Sequence, residues 1–503
     1  MPKNPIEFAY GDYEDAAPAV ENRRVLNCYP ETTPGKNTKT IVRGIEGLQE
    51  IDTVSGLFLG SVTRANFRYY VIKNGVGGDL YSVNSAGVSS LAGNMPNLNA
   101  TSNVRMLFNG KNIIIISDGL SQSNDYYYDP IGVVLDQIAT LDPTYSGFAR
   151  ARDVVLKNGY YLFISGINLY HGDNVTLGTG LTFNALSFQP IPSGYSTAIG
   201  AVVANSQVYV FTKSGTLIYQ AAPTTPFSFQ RNISFDIPIS ATTRTSFTAV
   251  GNDIYLLGRT EEAQTVSFYR MSGSSIELLR DQEFKAPLIG DLALVMLSYQ
   301  LNSHKFVGIN NISTVVGADF CYIYDATESA LRGYPMWQRR GFVKDTDNQE
   351  LLNNYPIVEY FSFISTGPQQ LWAFGYNKDN DTTYIYSILE NSSLNIASFF
   401  DTPVDNERIF EYSFPLLRDS SSPIIIKSIS IGFNENVSTA ELLQTTDGVS
   451  FASLGVVDIT SVTTNRAEWR RIGRYEVDVS YKIRATVIDT TKPFAIIDGY
   501  YIT

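Results

Sequence analysis

Short apolar segments recur along this chain at a nearly constant spacing, and this repeat constrains the fold more than any other feature. The first five are centred near residues 70, 114, 162, 209 and 255, so the successive steps are 44, 48, 47 and 46 residues. Two more centres, near 306 and 372, follow after longer steps of 51 and 66. The segments read YYVIKNG, NIIIISDG, YYLFISG, VYVFTKSG, DIYLLGRT, HKFVGINN and QLWAFGYN.

A repeat of this length, with several short strands and Gly-bearing turns in each unit, is typical of a β-propeller. A twisted four-stranded sheet has two apolar faces, and a ring of similar sheets covers both of them. We predict seven blades, with six as the alternative because residues 343–368 add extra length to the last interval. No helical period extends beyond a couple of turns, which disfavours an α/β fold and leaves a sandwich or barrel as the other interpretation. We place the propeller at residues 51–400.

A C-terminal β-sandwich is predicted over residues 401–503. Residues 475–487 alternate between apolar and polar side chains, as expected for a strand with one face in the core and one in water. Asp447 and Gly448 lie between two strand candidates and favour a tight hairpin. We assign residues 1–50 to an N-terminal arm and a first strand. The first 40 residues either complete the last blade or reach a neighbouring subunit.

The composition bears on which partners and compartments are compatible with the chain. Its net charge is −12, from 49 acidic and 37 basic residues, which disfavours tight binding to nucleic-acid phosphates but allows the protein to surround DNA without holding it. The longest apolar run, residues 292–297, is too short to span a membrane. We therefore expect a soluble protein. Cys28 and Cys321 are far apart in the sequence, which predicts free thiols in a reducing cytosol.

No constellation of residues predicts catalysis, and we expect no cofactor and no metal. His171 and His304 are the only histidines, too few for a three-histidine metal site. We interpret His171 as a solvated side chain in a turn. Propellers also host glycosidases, but the candidate carboxylate pairs, at 261–262 and at 379 and 381, lie in polar, loop-like stretches. A carbohydrate-binding or glycoside-hydrolysing propeller is the alternative function, and a general peptide-binding scaffold propeller is a second.

Two of the three tryptophans precede an Arg-Arg pair, which is unusual in an acidic protein. Tryptophan and arginine are enriched where a surface meets a partner, because both bury much area and keep a polar group. Pairing with acidic neighbours on a strand face is the alternative. Gly473 interrupts the local alternation and indicates a β-bulge. The candidate interface residues are Trp337, Arg339, Arg340, Trp469, Arg470, Arg471 and Arg474.

Several segments resemble the tail hub proteins of short-tailed bacteriophages, also called packaged-DNA stabilisation proteins. The segment WRRIGR at 469–474 is similar to a late segment of that family, and the Thr-Asp-Gly turn at 446–448 is similar to a turn that precedes it. The N-terminal RRVLNCYPE at 23–31 resembles the opening of the family, and VRGIEGLQEI follows at 42–51. In this second segment Glu46 stands where the family usually has proline.

The resemblance implies a structural, non-enzymatic virion protein. Members of this family form a ring, expected to contain six copies, below the portal and its adaptor protein, where they close the DNA-filled head. They also provide attachment points for tailspikes or fibres and for a tail needle or tip. The chain would assemble in the host cytoplasm and reside in the phage tail. On this basis Arg470, Arg471 and Arg474 are expected at a subunit or adaptor contact, with Trp469 as the apolar anchor.

Overall fold

The structure is a computed structural model and is almost entirely made of β-strands. Its described residues are 3–6, 8, 25–33, 39–98, 103–117, 125–141, 151–172, 183–222, 227–233, 237–260, 266–280, 294–311, 320–346, 349–353, 355–363, 370–377, 380–389, 409–413, 424–446, 451–461, 464–475, 479–488 and 492–503.

Short strands follow one another along the chain up to residue 280. Those before residue 56 are β1 (Asn4–Pro5), β2 (Val25–Leu26), β3 (Cys28–Thr33), β4 (Lys39–Gly44) and β5 (Gly47–Ser55). The next are β6 (Phe58–Arg64), β7 (Phe67–Asn74), β8 (Gly77–Asn84), β9 (Ser89–Met95), β10 (Val104–Phe108), β11 (Ile113–Ser117), β12 (Tyr126–Asp129), β13 (Val134–Gln137), β14 (Asp153–Lys157), β15 (Tyr160–Ser165), β16 (Asn168–Gly172), β17 (Phe183–Pro190), β18 (Ala198–Ala204), β19 (Gln207–Thr212), β20 (Thr216–Ala221), β21 (Phe229–Arg231), β22 (Ile239–Ala241), β23 (Phe247–Val250), β24 (Asp253–Thr260), β25 (Ser267–Ser272) and β26 (Ser275–Arg280).

The remaining strands and the two short α-helices complete the elements. The strands are β27 (Leu294–Leu301), β28 (His304–Asn311), β29 (Phe320–Asp325), β30 (Trp337–Arg339), β31 (Phe342–Thr346), β32 (Gln349–Asn353), β33 (Ile357–Ser362), β34 (Leu371–Asn377), β35 (Thr382–Leu389), β36 (Phe410–Ser413), β37 (Ile424–Phe433), β38 (Val437–Thr445), β39 (Ala452–Asp458), β40 (Arg466–Tyr475), β41 (Ser480–Val487) and β42 (Ala495–Ile502). The helices, within the described residues, are α1 (Ile138–Leu141) and α2 (Ala326–Arg332).

The chain divides into two compact units. Unit 1 comprises residues 1–50, 299–355 and 386–503, and unit 2 comprises residues 51–298 and 356–385. This division differs from the boundary at residue 400 that the sequence predicted, because residues 299–355 lie in unit 1. The reason is strand pairing: β28, β29 and β30 continue, through β2, into the same sheet as the C-terminal strands β36, β41, β38 and β39.

Unit 2 is a β-propeller, as the repeat predicted. Its sheets are β6–β9, β10–β13, β14–β17, β18–β21, the five-stranded β22–β26, and a last sheet in the order β33-β34-β35-β5. The described residues thus give six blades, the lower of the two predicted numbers. The segment HKFVGINN is β28 and belongs to unit 1. The other six segments fall on β7, β11, β15, β19, β24 and β34, each the second strand in the order of its sheet.

The hydrophobic core of unit 2 lies between neighbouring blades. Buried side chains of the first and second blades, such as Leu80 and Ile113, form one cluster. Ile114 of the second blade packs with Phe163 of the third in another cluster, and two further clusters join the third blade to the fourth and the fourth to the fifth. The second, third and fourth sheets therefore each bury both faces against their neighbours, which is why alternation is weak in this part of the chain.

The last blade is closed by a strand from the N-terminal part of the chain. In this closure Gly56, directly after β5, donates its N–H to the carbonyl of Asp381 at 2.6 Å, and its own carbonyl accepts from the Thr383 hydroxyl at 2.6 Å. Gly56 has φ +112°, and a Cβ there would lie 2.5 Å from the carbonyl oxygen of Lys73. Glycine is therefore required where the closing strand turns into β6.

Two large sheets of unit 1 share one core, and a separate two-stranded sheet pairs β31 with β32. The larger has the order β27-β28-β29-β30-β2-β36-β41-β38-β39, and the smaller has the order β3-β4-β42-β37-β40 with β1 also paired to β42. Ile429 of the smaller sheet and Ile483 of the larger belong to a single hydrophobic cluster. An all-β propeller followed by C-terminal sheets is thus confirmed.

The alternating segment 475–487 is only partly as predicted. Its apolar side chains from Val479 to Ala485 are buried as expected, but Lys482 on the opposite face is also buried, at 1% exposure. The Lys482 ammonium lies 3.4 Å from the buried carboxylate of Glu411 and 4.3 Å from the ring centre of Phe451. The alternation therefore marks a strand whose second face carries a buried lysine paired with a carboxylate, and this face is not exposed to solvent at Lys482. Residues 476–478 and the predicted Asp447-Gly448 turn lie outside the described residues.

Candidate interaction surface

The first Trp-Arg-Arg segment lies inside unit 1. Trp337 on β30 is 4% exposed, and its ring centre is 5.2 Å from that of Tyr324. Arg339 is half-buried, with its guanidinium 5.2 Å from the ring centre of Tyr322. Because β30 pairs with β29 on one side and β2 on the other, Trp337 is held by core packing.

Arg340 has no access to the surface of the chain. Its guanidinium forms an ion pair with Glu46, and both side chains have 0% exposure. The rings of Tyr299, Phe306 and Tyr355 surround the guanidinium, with centres 5.3, 5.7 and 5.7 Å away. The residue that stands in place of the usual proline is therefore the counter-ion of a buried arginine. A partner cannot contact Trp337 or Arg340 on the folded chain.

The second Trp-Arg-Arg segment lies on β40, the edge strand of the smaller sheet. Trp469 is 5% exposed and donates its indole N–H to the carbonyl of Gly455 at 2.8 Å. The side chain of Arg470 is 76% exposed and donates to Glu468 at 3.0 Å. Arg471 and Arg474 are also exposed. A buried tryptophan thus fixes an edge from which three arginines project.

A β-bulge at this position confirms the irregularity that Gly473 predicted. Ile426 pairs with Gly473 and Ser428 pairs with Arg470, so one residue of β37 faces two residues of β40. Arg471, inside the bulge, has φ +59°, and Gly473 has φ +146°. An extra residue twists an edge strand and redirects its side chains. Here it directs Arg470 and Arg471, which are consecutive, toward solvent together.

The arginines continue into a wider patch that we call the basic edge: Ile425, Lys427, Arg470, Arg471 and Arg474. Ile425 pairs with Arg474 across β37 and β40 and is 50% exposed. Lys427 is exposed and donates to the carbonyl of Thr503 at 3.0 Å. Glu468, 40% exposed, is the one carboxylate among the described residues of β37 and β40. The basic edge is therefore positive and partly apolar, in a chain of net charge −12.

A polar network joins four blades of the propeller. Asp153 on β14 is nearly fully buried and accepts from Arg105 of the second blade at 2.7 Å and from the Ala201 N–H of the fourth blade at 2.9 Å. From the fifth blade, the Arg244 guanidinium donates to both the side chain and the carbonyl of Asn103, beside β10, and to the carbonyl of Arg152.

Arg244 therefore crosses the propeller axis. In a ring of six blades the second and fifth blades lie opposite each other. The Arg244 guanidinium, from the β22–β23 connection of the fifth blade, binds Asn103, the residue before β10 of the second blade. A Cβ at Gly200 of the fourth blade would lie 3.4 Å from the Cβ of Arg244 and 2.8 Å from Asp153 Oδ2. Side chains and backbone of four blades thus meet closely at this point.

The two histidines have structural surroundings. The prediction of a solvated His171 is wrong, because His171 on β16 is 4% exposed and lies 5.2 Å from the ring centre of Tyr160. His304 Nδ1 is 2.6 Å from Asp325 Oδ2, and both side chains are buried. Burial alone would lower the pKa of His304, but the hydrogen bond and charge of Asp325 raise it above the ordinary value. Asp325 also caps α2 through the N–H groups of Thr327 and Glu328.

The other candidate chemical groups are also accounted for. Cys28 and Cys321 are free thiols and both are buried, and burial raises the pKa of Cys321 to about 12. Asp381 accepts from the Tyr376 hydroxyl at 2.9 Å, while the other members of the carboxylate pairs lie outside the described residues. Within the described ranges, no three His, Cys, Asp or Glu side chains are grouped to hold a metal ion. No helix of the described part of the chain is long and apolar enough to cross a membrane.

Comparison with known proteins decides the family. A family model described as "Bacteriophage P22 Gp10, beta-propeller" matches residues 4–339. The chain belongs to this family. The matched range includes all of the first five blades and β30, and the family is one of structural phage proteins, as the resemblance in the sequence implied.

The other comparisons give distant likenesses only. No curated protein matches the chain. The N-terminal domain of Nup159 is 10% identical, with a TM-score of 0.40, 73% of this chain and 100% of that chain covered. The extracellular domain of a hybrid two component system from B. thetaiotaomicron is 13% identical (TM-score 0.42; 78% and 44% covered). The propeller of the Trilobed protease from Pyrococcus furiosus is 11% identical (TM-score 0.33; 68% and 95% covered). None of these likenesses carries an argument about function.

Proposed function

We propose that this member of the P22 Gp10 family is a tail hub, six copies of which form a ring below the portal and its adaptor protein. The observation that carries the proposal is the family match over residues 4–339. In this role the ring seals packaged DNA in the head and anchors tailspikes or fibres and a tail needle or tip. The protein assembles in the host cytoplasm, becomes part of the virion and performs no catalysis.

The hydrogen bonds between opposite and neighbouring blades support a rigid building block. Arg244 and the Arg105–Asp153 pair connect inner strands across the ring, so that the blades are braced against one another. DNA would pass between copies of the chain and not through a propeller. A channel wall with a net negative balance would let DNA slide because it offers phosphates few cations to hold them.

The basic edge supports a protein contact in this ring. Arg470 and Arg471 are exposed, adjacent and directed outward by a bulge, and Trp469 fixes the strand beneath them. Exposed charges also protect an edge strand against aggregation. Binding a partner and preventing aggregation can be tested separately. Replacing the arginines with glutamates keeps the edge strand charged but removes its charge complementarity to an acidic partner.

The test is the native mass of the purified chain, alone and after mixing with a portal–adaptor assembly from the same phage. We expect a complex that contains a fixed ring of six copies. In the double variant Arg470→Glu/Arg471→Glu the monomer should fold and fail to join the complex. Lys213→Glu/Lys305→Glu is the matched control, since both lysines are exposed elsewhere on the chain.

A wild-type chain that ignores the portal–adaptor assembly would contradict the hub function, and glycan binding by the monomer would then favour the alternative. Unchanged incorporation of Arg470→Glu/Arg471→Glu would contradict only the role of the basic edge. Unfolding of that variant would assign these arginines to the stability of the sheet.

A further inference from the structure

A second exposed feature, on the propeller, complements the basic edge. The hairpin between β12 and β13 ends in residues 130–133, PIGV, at the outer edge of the second blade. Ile131 is 75% exposed, Val133 is 68% exposed and Val134 is 47% exposed. Single exposed aliphatic side chains are common, but three within four residues at the tip of a hairpin form a projecting apolar knob.

The backbone of this knob has an unfavourable conformation. Val133 has φ +53°, a left-handed conformation that turns normally give to Gly, Asn or Asp. For a β-branched residue it is a genuine outlier. Asp129 fixes the turn by accepting from the N–H groups of Ile131 and Gly132 at 2.9 and 3.1 Å. Local stability therefore does not explain a valine at this position, and strain of this kind accumulates at functional sites.

Carboxylates border the knob. Asp129 pairs with Val134, and Asp136 lies two residues further along β13, on the same face as Val134. The two backbone hydrogen bonds lower the pKa of Asp129, so this group is ionised at neutral pH, and the charges of Lys111 and Arg64 act in the same direction. Burial raises the pKa of Tyr127, and the charges of Asp136 and Asp129 raise it further. The knob is thus apolar with an acidic border.

We propose that the knob of one copy docks on the basic edge of a second copy. The proposal rests on the proposed ring function and names the contact that would build the ring. Ile131, Val133 and Val134 would pack near Ile425, and Asp136 would approach Arg470 and Arg471. Because the two surfaces differ, the contact is heterologous, and heterologous contacts generate rings when the rotation closes. Charge favours a second copy of this chain as the partner. The chain is acidic overall, and it carries both the knob, with its acidic border, and the basic edge.

The first experiment compares Val133→Gly with the wild-type chain by sedimentation velocity and native mass spectrometry. Glycine relieves the left-handed strain, so the thermal midpoint should stay equal or rise, whereas self-association should weaken at least tenfold. Val76→Gly is the matched control, because Val76 is 78% exposed in the β7–β8 turn of the first blade. Equal association of both variants and the wild type would overturn the proposal.

The second experiment identifies the partner surface by charge reversal. Asp136→Arg and Arg471→Glu should each weaken self-association, and the double variant Asp136→Arg/Arg471→Glu should restore it. Loss in both single variants without recovery in the double variant would overturn the assigned pairing. Each variant is also tested for binding to the portal–adaptor assembly as single copies. If wild-type copies bind the portal–adaptor assembly but do not associate into a ring, the proposed contact between knob and basic edge is refuted, whereas the proposed hub function is not.

Discussion

Removing the negative charge of Glu46 should destabilise unit 1 more than any surface substitution. The variant Glu46→Gln keeps the shape of the side chain but removes the negative charge that faces the Arg340 guanidinium. Both side chains are fully buried, and the described neighbours of Arg340 include aromatic rings and the Tyr355 hydroxyl, which is 3.4 Å away. Arginine cannot escape by losing its proton, because its pKa lies far above neutral pH.

The expected loss follows from this geometry. Breaking a buried ion pair by removing one partner costs about 3–5 kcal/mol. Cation–π contacts of the Arg340 guanidinium with Tyr299, Phe306 and Tyr355, worth about 0.5–2 kcal/mol each, exist before and after the change and therefore do not alter the difference. We therefore expect the free energy of unfolding of unit 1 to fall by about 3 kcal/mol or more. The double variant Glu46→Gln/Arg340→Met should be clearly more stable than Glu46→Gln, since no isolated charge remains.

Urea titration followed by tryptophan fluorescence measures this difference. Trp337 and Trp469 lie in unit 1, whereas Trp372 lies in unit 2, so a Trp372→Phe background restricts the signal to unit 1. The midpoint should shift without a change in slope. A loss below about 1 kcal/mol for Glu46→Gln, the range of exposed pairs, would refute the claim that this ion pair is desolvated.

Three further predictions test other parts of the structure. Because the pKa of His304 is raised in the folded chain, protonation of His304 stabilises the fold, fully below the ordinary pKa of 6.5 and no longer once the pH has risen through the folded pKa. Wild-type thermal stability should therefore fall from near pH 6.5 upward, and His304→Gln should remove this dependence. In a Cys28→Ser background the Cys321 thiol, with its pKa of about 12, should react with iodoacetamide only as fast as the chain opens; rapid labelling of the native protein would contradict its burial. Arg244→Ala should lower the stability of unit 2 by on the order of 3 kcal/mol through lost charge-assisted hydrogen bonds, while the exposed control Arg259→Ala should have little effect.

The propeller could be predicted from the sequence because the apolar segments that reveal the repeat are buried strands of the blades. Six of the seven apolar segments that marked the repeat are the second strand of a blade, with a strand on either side. Ile113 to Ile116, for example, are all fully buried. Such strands read as continuous apolar runs at regular intervals. The same property explains the difference at residues 304–311, because β28 is equally buried but lies in a sheet of unit 1.

The candidate site could be predicted only in part. The bulge at Gly473 was visible because it interrupts an alternating strand, and Arg470, Arg471 and Arg474 are exposed as an interface requires. The burial of Arg340 was not visible in the sequence, because its counter-ion Glu46 lies 294 residues earlier in the chain. The knob was missed for a similar reason. A PIGV turn has no polar signature, and only the backbone angle of Val133 and its exposure single it out.

The closure of the last blade has a consequence for the timing of synthesis. Strand β5 ends at Ser55 and its neighbour β35 begins at Thr382, so 382 − 55 = 327 residues separate their synthesis. At roughly 5–20 residues per second, the first strand leaves the ribosome roughly 16–65 seconds before its neighbour exists. Until then the propeller is an open arc with an unpaired edge at each end. A truncated chain that ends before residue 382 lacks β35 and therefore cannot close this ring.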